Sequence, residues 1–268
     1  MKRSTPGSRQ LMLSTILFAL SAPLFAQEPS DSTPVGDAGV PSQVVSPEAQ
    51  AVLDRMAATL SGLDTFSIKA DVTRDEVVAL GYKLQNHEQS TLVVQRPGKL
   101  RAEIAGDVRN RTIVYDGSSL VMYSPDDEAY VRTKAPDTLS ALIPALLDLG
   151  VELPLIDVLY QGTAGTLTEG VRGGILVGET QINGKTCDHL AFRQASIDWQ
   201  LWVEQGARAL PCKILITTRY EVGDPQYQAV LHWNLKPKLT SSTFTFAAPE
   251  GAMEIALANT AAEDSGAP

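Results

Sequence analysis

The stretch that decides the fold is residues 185–220, KTCDHLAFRQASIDWQLWVEQGARALPCKILITTRY. Apolar side chains recur at every second position in three successive segments, at Leu190 and Phe192, then at Trp199, Leu201 and Val203, then at Ile214 and Ile216. A period of two is typical of a strand with one face on a core and the other in water. The stretch therefore predicts three antiparallel strands in a row. No part of it resembles a catalytic device.

The same period extends in both directions from this stretch. Towards the N-terminus it predicts about six short strands between residues 66 and 133, with a turn at residues 96–99 and a hairpin at Asp116-Gly117. Just before the central stretch, Asn183-Gly184 predicts another hairpin. A strand at residues 227–235 and a short last strand or hook at Phe244 and Phe246 follow it. Short strands separated by turns favour a sandwich or a barrel over βαβ units.

Two helical segments accompany the strands. The first is predicted to begin at Ser46, a good N-cap before Pro47, and to end at Gly62 with one apolar face packed on the core. The second covers residues 135–160, with Asp137 as a candidate N-cap and a kink or restart at Pro144. It is apolar nearly all round, so it must be buried or must cover a cavity. Two interpretations stay open for it, a plug that completes the core and a lid over a lipid-sized cavity.

The first 26 residues have the pattern of a secretory signal peptide. Basic residues precede the apolar run LMLSTILFAL at 11–20, and cleavage is expected after Ala26. The run is too short for a membrane span, although a retained N-terminal anchor is the alternative. We expect a periplasmic protein without stable membrane anchoring. Residues 27–46 are predicted to be a disordered linker, residues 47–256 a single β-barrel-like domain with helices, and residues 257–268 a disordered tail.

The chain is acidic. Its formal net charge is −9, and removal of residues 1–26 takes away Lys2, Arg3 and Arg9 and no acid, which gives −12. Nucleic acids and anionic lipid surfaces attract basic proteins, so we expect no nucleic-acid partner.

The chain has two cysteines, Cys187 and Cys212. An exported compartment permits a disulfide between them. In a regular three-strand meander, however, two strand spacings of about 4.8 Å separate their Cα atoms by roughly 10 Å, beyond the disulfide limit of about 7 Å. The spacing therefore favours two free thiols over a bridge. Two cysteines with no histidine at metal-ligand spacing do not indicate a zinc site.

Motifs of known chemistry are missing from the sequence. It contains no G-x-S-x-G, no H-E-x-x-H, no P-loop and no G-x-G-x-x-G that opens a helix. We expect no catalytic residue, no metal site and no cofactor, and interpret Asp188 and Asp198 as surface charges. Trp202 is unusual because it shares a strand face with polar neighbours. Either another element covers it or it offers an aromatic contact surface.

Several segments resemble a family of predicted periplasmic proteins of unknown function, DUF2092. They are YDG at 115–117, PLIDVLY at 154–160, CDHLAF at 187–192, DWQLWVE at 198–204 and LPCKILIT at 210–217. That family is in turn similar in fold to the outer-membrane lipoprotein carriers (the LolA/LolB-like superfamily) and a related stress-sensor domain. The resemblance implies an open antiparallel barrel with helices that close a hydrophobic cavity. It supplies no catalytic residue.

The sequence thus predicts a mainly β (α+β) fold, a half-open antiparallel β barrel of about 10–11 strands with helices packed on or in its mouth. A barrel of this size can hold one ligand. The predicted function is non-enzymatic binding of a lipid or another apolar or lipidated ligand. An envelope stress-sensing or protein-interaction module with an envelope protein partner is the alternative, and an enzyme of unrecognised type is a remote one. The candidate ligand contacts are Leu142, Leu146, Leu149, Trp199, Leu201 and Trp233.

Overall fold

The computed structural model describes residues 44–148, 153, 155–160 and 167–256. The predicted signal peptide, most of the predicted linker and the C-terminal tail lie outside these residues, as does Leu149. Within these residues the three α-helices are α1 (Pro47–Ser61), α2 (Leu139–Asp148) and α3 (Ile156–Tyr160), and a 3-10 turn covers Ala79–Gly81. The strands are β1 (Thr65–Val77), β2 (Lys83–Gln95), β3 (Lys99–Gly106), β4 (Asn110–Tyr115), β5 (Ser119–Ser124), β6 (Ala129–Lys134), β7 (Gly173–Ile182), β8 (Lys185–Arg193), β9 (Ile197–Glu204), β10 (Pro211–Thr218), β11 (Gln226–Asn234) and β12 (Met253–Glu254).

All twelve strands belong to one curled sheet. Their order is β12-β6-β5-β4-β3-β2-β1-β11-β10-β9-β8-β7. The edge strands β12 and β7 do not pair with each other, so the sheet is not closed. The mainly β, half-open antiparallel prediction is confirmed. The described part of the structure has one strand more than the predicted 10–11. This strand is β12, which has two residues and pairs in parallel with β6. Phe244 and Phe246 form the predicted hook instead of a strand, and the Phe246 ring packs on Tyr123 and Tyr130.

The core lies between the concave face of the sheet and the three helices. Alternating side chains of the long strands meet there in register, as where Ile68 of β1 stands opposite Leu92 of β2 and Trp233 of β11. One cluster of buried apolar residues joins these strands to residues of α1, α2 and α3. The period of two in the sequence thus marks the inner face correctly.

The helix ends follow local chemistry. The backbone N–H of Ala49 donates to Ser46 Oγ at 3.3 Å, which confirms Ser46 as the N-cap of α1. Just upstream, Gly174 N–H of β7 donates to Val44 O at 2.8 Å. The second helix begins at Leu139, so Thr138 rather than Asp137 precedes it, and it continues through Pro144. Among the described residues, no helix has the length and apolar character needed to cross a membrane.

The outer face of β8, β9 and β10 carries a second, smaller apolar cluster. It consists of Cys187, Trp202 and Cys212, with Ile182 and Leu215 against it. The His189 ring stacks on the Trp202 ring, with the two ring centroids 4.3 Å apart. From β10, Lys213 Nζ lies 4.7 Å from the centroid of the Trp202 ring. Trp202 is only 6% exposed, so it is covered, and the contact-surface alternative is wrong.

Both cysteines are free thiols, as the spacing favours, but their sulfur atoms lie only 2.6 Å apart. Regular strand spacing does not apply here, because β10 has a register shift between Pro211 and Lys213. Cys212 sits in this irregularity. Cys187 stands opposite Glu204, the last residue of β9, so the two side chains meet over the end of the strand between them.

Candidate apolar binding site

A cavity of about 310 Å³ lies between the sheet and the two short helices. Its floor is formed by β9 and β10, where Trp199 stands opposite Ile216 and Leu201 opposite Ile214. These four residues share one face of the sheet because each pair is in register and successive pairs are two residues apart. Ile197 extends the floor at the start of β9.

The opposite wall comes from the helical part of the chain. Leu147 of α2, Ile156 of α3 and Leu167 in the turn before β7 line the cavity. Leu147 is 45% exposed, so the cavity reaches the surface beside it. Within the part of the chain that the structure describes, this wall comes from three separate segments, whereas the floor is formed by two paired strands.

Among the described lining residues, the polar ones are Glu169 and Gln194, which lie together. Gln194 Nε2 donates to the backbone carbonyl of Glu169 at 2.7 Å, and this bond joins the turn before β7 to the connection between β8 and β9. Glu169 is exposed, so this polar edge belongs to the rim. A cavity that is apolar inside and polar at its rim suits a ligand with an apolar body and a polar end.

The structure places the predicted contact residues in three groups. Trp199 and Leu201 line the cavity floor. Leu142 and Leu146 of α2 point into the core cluster and do not line the cavity. Their neighbour Leu147 lines it instead. Trp233 packs against the core cluster and its Nε1–H donates to Pro211 O at 2.7 Å, away from the described cavity lining.

The other lining residues were not predicted from the sequence: Leu147, Ile156, Leu167, Glu169, Gln194, Ile197, Ile214 and Ile216. Ile214 and Ile216 could have been predicted from the sequence, because they lie two residues apart on the strand that follows Trp199 and Leu201. Leu147 could not, because a helix that is apolar nearly all round does not show which face meets a cavity.

The two aspartates considered above have different roles. Asp198 is paired with Arg193 and Arg219, and the hydrogen bonds from Arg193 lower the pKa of its carboxyl group. Asp188 is not a surface charge as expected. It is buried on β8, where Arg55 Nη2 of α1 approaches its Oδ2 to 2.8 Å and Gln205 Nε2 donates to its Oδ1 at 2.7 Å. Both carboxylates therefore serve as structural partners of basic or amide groups.

Comparison with solved structures finds matches at low sequence identity and with TM-scores below 0.5. LprF from Mycobacterium bovis is 11% identical with a TM-score of 0.46, covering 74% of this chain and 98% of that one. The Mycobacterium tuberculosis lipoprotein LppX is 14% identical with a TM-score of 0.44, covering 72% and 99%. The LolA superfamily protein NE2245 from Nitrosomonas europaea is 12% identical with a TM-score of 0.35, covering 74% and 97%.

No curated protein matches the sequence. The family model described as predicted periplasmic protein (DUF2092) matches residues 49–258. The match takes in the whole sheet, the cavity lining and all of α1 except its first two residues. The chain therefore belongs to the DUF2092 family of predicted periplasmic proteins.

Proposed function

We propose that this protein binds a single apolar chain, such as the acyl chain of a lipid, in the cavity over β9 and β10. The observation that carries the proposal is an apolar cavity of about 310 Å³ with a polar rim. Ligand sites in proteins start at about this volume and combine an apolar lining with a few polar groups. The family is described as predicted periplasmic, and the periplasm is bounded by lipid membranes, which supports the proposal.

The volume limits the ligand. At about 30 Å³ for each water-sized group, the cavity holds on the order of ten methylenes. Their burial contributes about 0.8 kcal/mol each, or about 8 kcal/mol in all. This gain in binding free energy is reduced because the ligand becomes ordered and loses its free motion. We therefore expect affinity no tighter than about micromolar for one medium-length chain, with the polar end of the ligand at Glu169 and Gln194, and not a site for several long chains.

The test uses two matched leucines. Leu147 lines the cavity and is 45% exposed, and Leu84 on β2 is 49% exposed and lies outside the described lining. Either can become glutamate without burying a charge in the core. Leu147→Glu places a carboxylate at an apolar wall that the ligand must contact, and this is costly to desolvate. A fluorescent probe with one apolar chain of about ten carbons and an uncharged head should bind the parent and Leu84→Glu, and bind Leu147→Glu at least tenfold more weakly.

Equal binding by all three proteins would place the probe elsewhere and reject this cavity as the site. If the folded parent binds no such probe, the proposal that the protein binds an apolar chain fails.

An interaction role is the second candidate, and one observation favours it. Strand β7 is an edge of the sheet and exposes three consecutive apolar residues, Ile175, Leu176 and Val177. An exposed apolar edge can accept an added strand from a partner. Photocrosslinking from position 177 in the exported protein should then give one defined protein adduct, which the same group at position 84 does not give. No adduct at position 177 would reject this role.

A further inference from the structure

The outer cluster of β8, β9 and β10 holds both cysteines of the chain. Cys187 is 0% and Cys212 3% exposed, and Trp202 packs with them. This cluster lies on the face of the sheet away from the cavity floor, since Trp202 alternates with Leu201 and Val203 of the inner core. The two thiols therefore have no part in the proposed binding site.

The two sulfur atoms contact one another directly. The Cys187 and Cys212 Sγ atoms lie 2.6 Å apart, closer than two unbonded sulfur atoms normally pack, while the carbonyls of Lys185 and Leu210 lie 3.7 Å from the respective sulfurs. The register shift in β10 brings Cys212 over the end of β9, so the strands do not hold the side chains apart. Two thiols in contact need no rearrangement of the sheet to be joined.

We infer that Cys187 and Cys212 are a modification site, at which a disulfide joins β8 to β10 in the exported protein. The two thiols lose two protons and two electrons, and an S–S bond forms. The electrons pass by thiol–disulfide exchange to the disulfide of an oxidising envelope protein, which becomes a dithiol. Oxidising compartments such as the periplasm form and keep disulfides, and the chain belongs to a periplasmic family.

The burial of the pair fixes when the bond forms. Exchange requires a thiolate that an oxidant can reach, and neither sulfur is reachable in the folded protein. Burial also raises the pKa of both thiols. The bond therefore forms during folding, before Trp202 and the strand ends cover it, and resists reductants afterwards. It acts as a permanent link across β9 and not as a reversible switch.

The direct test is the redox state of the full chain after export. Cells are quenched with acid, the periplasmic fraction is isolated, and the denatured protein is treated with a maleimide without reductant. We expect no adduct, a mass lower by two hydrogens, and a cross-linked peptide containing both cysteines. Reductant added before labelling should give two adducts. Two adducts on the exported protein without reductant would overturn the inference.

Thermal unfolding of serine variants gives an independent readout. A bond that closes a loop between residues 25 apart should raise Tm by about 10 °C for a domain of this size. Because either substitution removes the whole bond, Cys187→Ser, Cys212→Ser and the double variant should all lose nearly the same amount. If the loss of Tm in the double variant equals the sum of the losses in the two single variants, the thiols only pack against each other. That result would contradict the inference.

Discussion

Trp199 belongs to both the core and the candidate site. One face of its ring stacks on Phe192 with centroids 4.0 Å apart, and the residue lines the cavity beside Leu201. Its position follows from the period of two on β9, which points Trp199 inwards and Trp202 outwards. A single change here should therefore affect stability as well as ligand binding.

We expect Trp199→Ala to lower the free energy of unfolding by about 3 kcal/mol, the low end for a buried Trp, because one side of the ring already borders a cavity. Urea unfolding measures the change. Tyr82→Ala is the control, since Tyr82 is exposed, and it should stay within about 0.5 kcal/mol of the parent. A loss below about 1 kcal/mol for Trp199→Ala would mean that the inner face of β9 is misassigned.

At the scale of single residues, alternation in the sequence identified two residues of the cavity floor, Trp199 and Leu201, and none of the wall. Trp199 and Leu201 were selected because their strand has a clear polar side. The helical wall has no such side, and the choice of Leu142 and Leu146 over Leu147 follows from that lack. Which helical leucine meets a cavity is decided by the rotation of α2 on the core, a tertiary property.

At the scale of elements, α1 is fixed to the sheet by more than its apolar face. Arg55 of α1 pairs with Asp188 of β8, far away in sequence, and Gln205 completes the partners of the carboxylate. The pattern of β8 contains the signal for a buried acid, because Asp188 is in phase with Leu190 and Phe192. Its partner could not be predicted, since no sequence rule joins a helix surface to a strand this distant.

We expect Arg55→Met to destabilise the protein by about 1–3 kcal/mol, because it leaves the Asp188 carboxylate buried with fewer partners. Arg55 is itself about half exposed, so its own desolvation is small. Urea unfolding of Arg55→Met and of Arg55→Met/Asp188→Asn measures the effect. Removal of the charge in the double variant should restore part of the loss. If the double variant is less stable than Arg55→Met, the ion pair is not what holds α1 in place.

At the scale of the whole molecule, the strand order was within reach of the sequence. Hairpin signals at Asp116-Gly117 and Asn183-Gly184 fix successive antiparallel pairs, and the structure has both. The pairing of β1 with β11, which brings the two halves of the sheet together, has no local signal. The same holds for the irregularity in β10 that brings the cysteines into contact. Turns are local and could be predicted, whereas these long-range features depend on the assembled sheet.

Native mass spectrometry of the exported protein tests the central claim, one apolar chain bound in the cavity, most directly. The protein is purified from the periplasm without detergent and sprayed under conditions that keep non-covalent ligands. We predict a population with one added mass that leaves on denaturation, fragments as a lipid with an apolar chain, and is lost in Leu147→Glu but kept in Leu84→Glu. Only the bare protein mass, with no uptake of added single-chain lipids, would contradict the account.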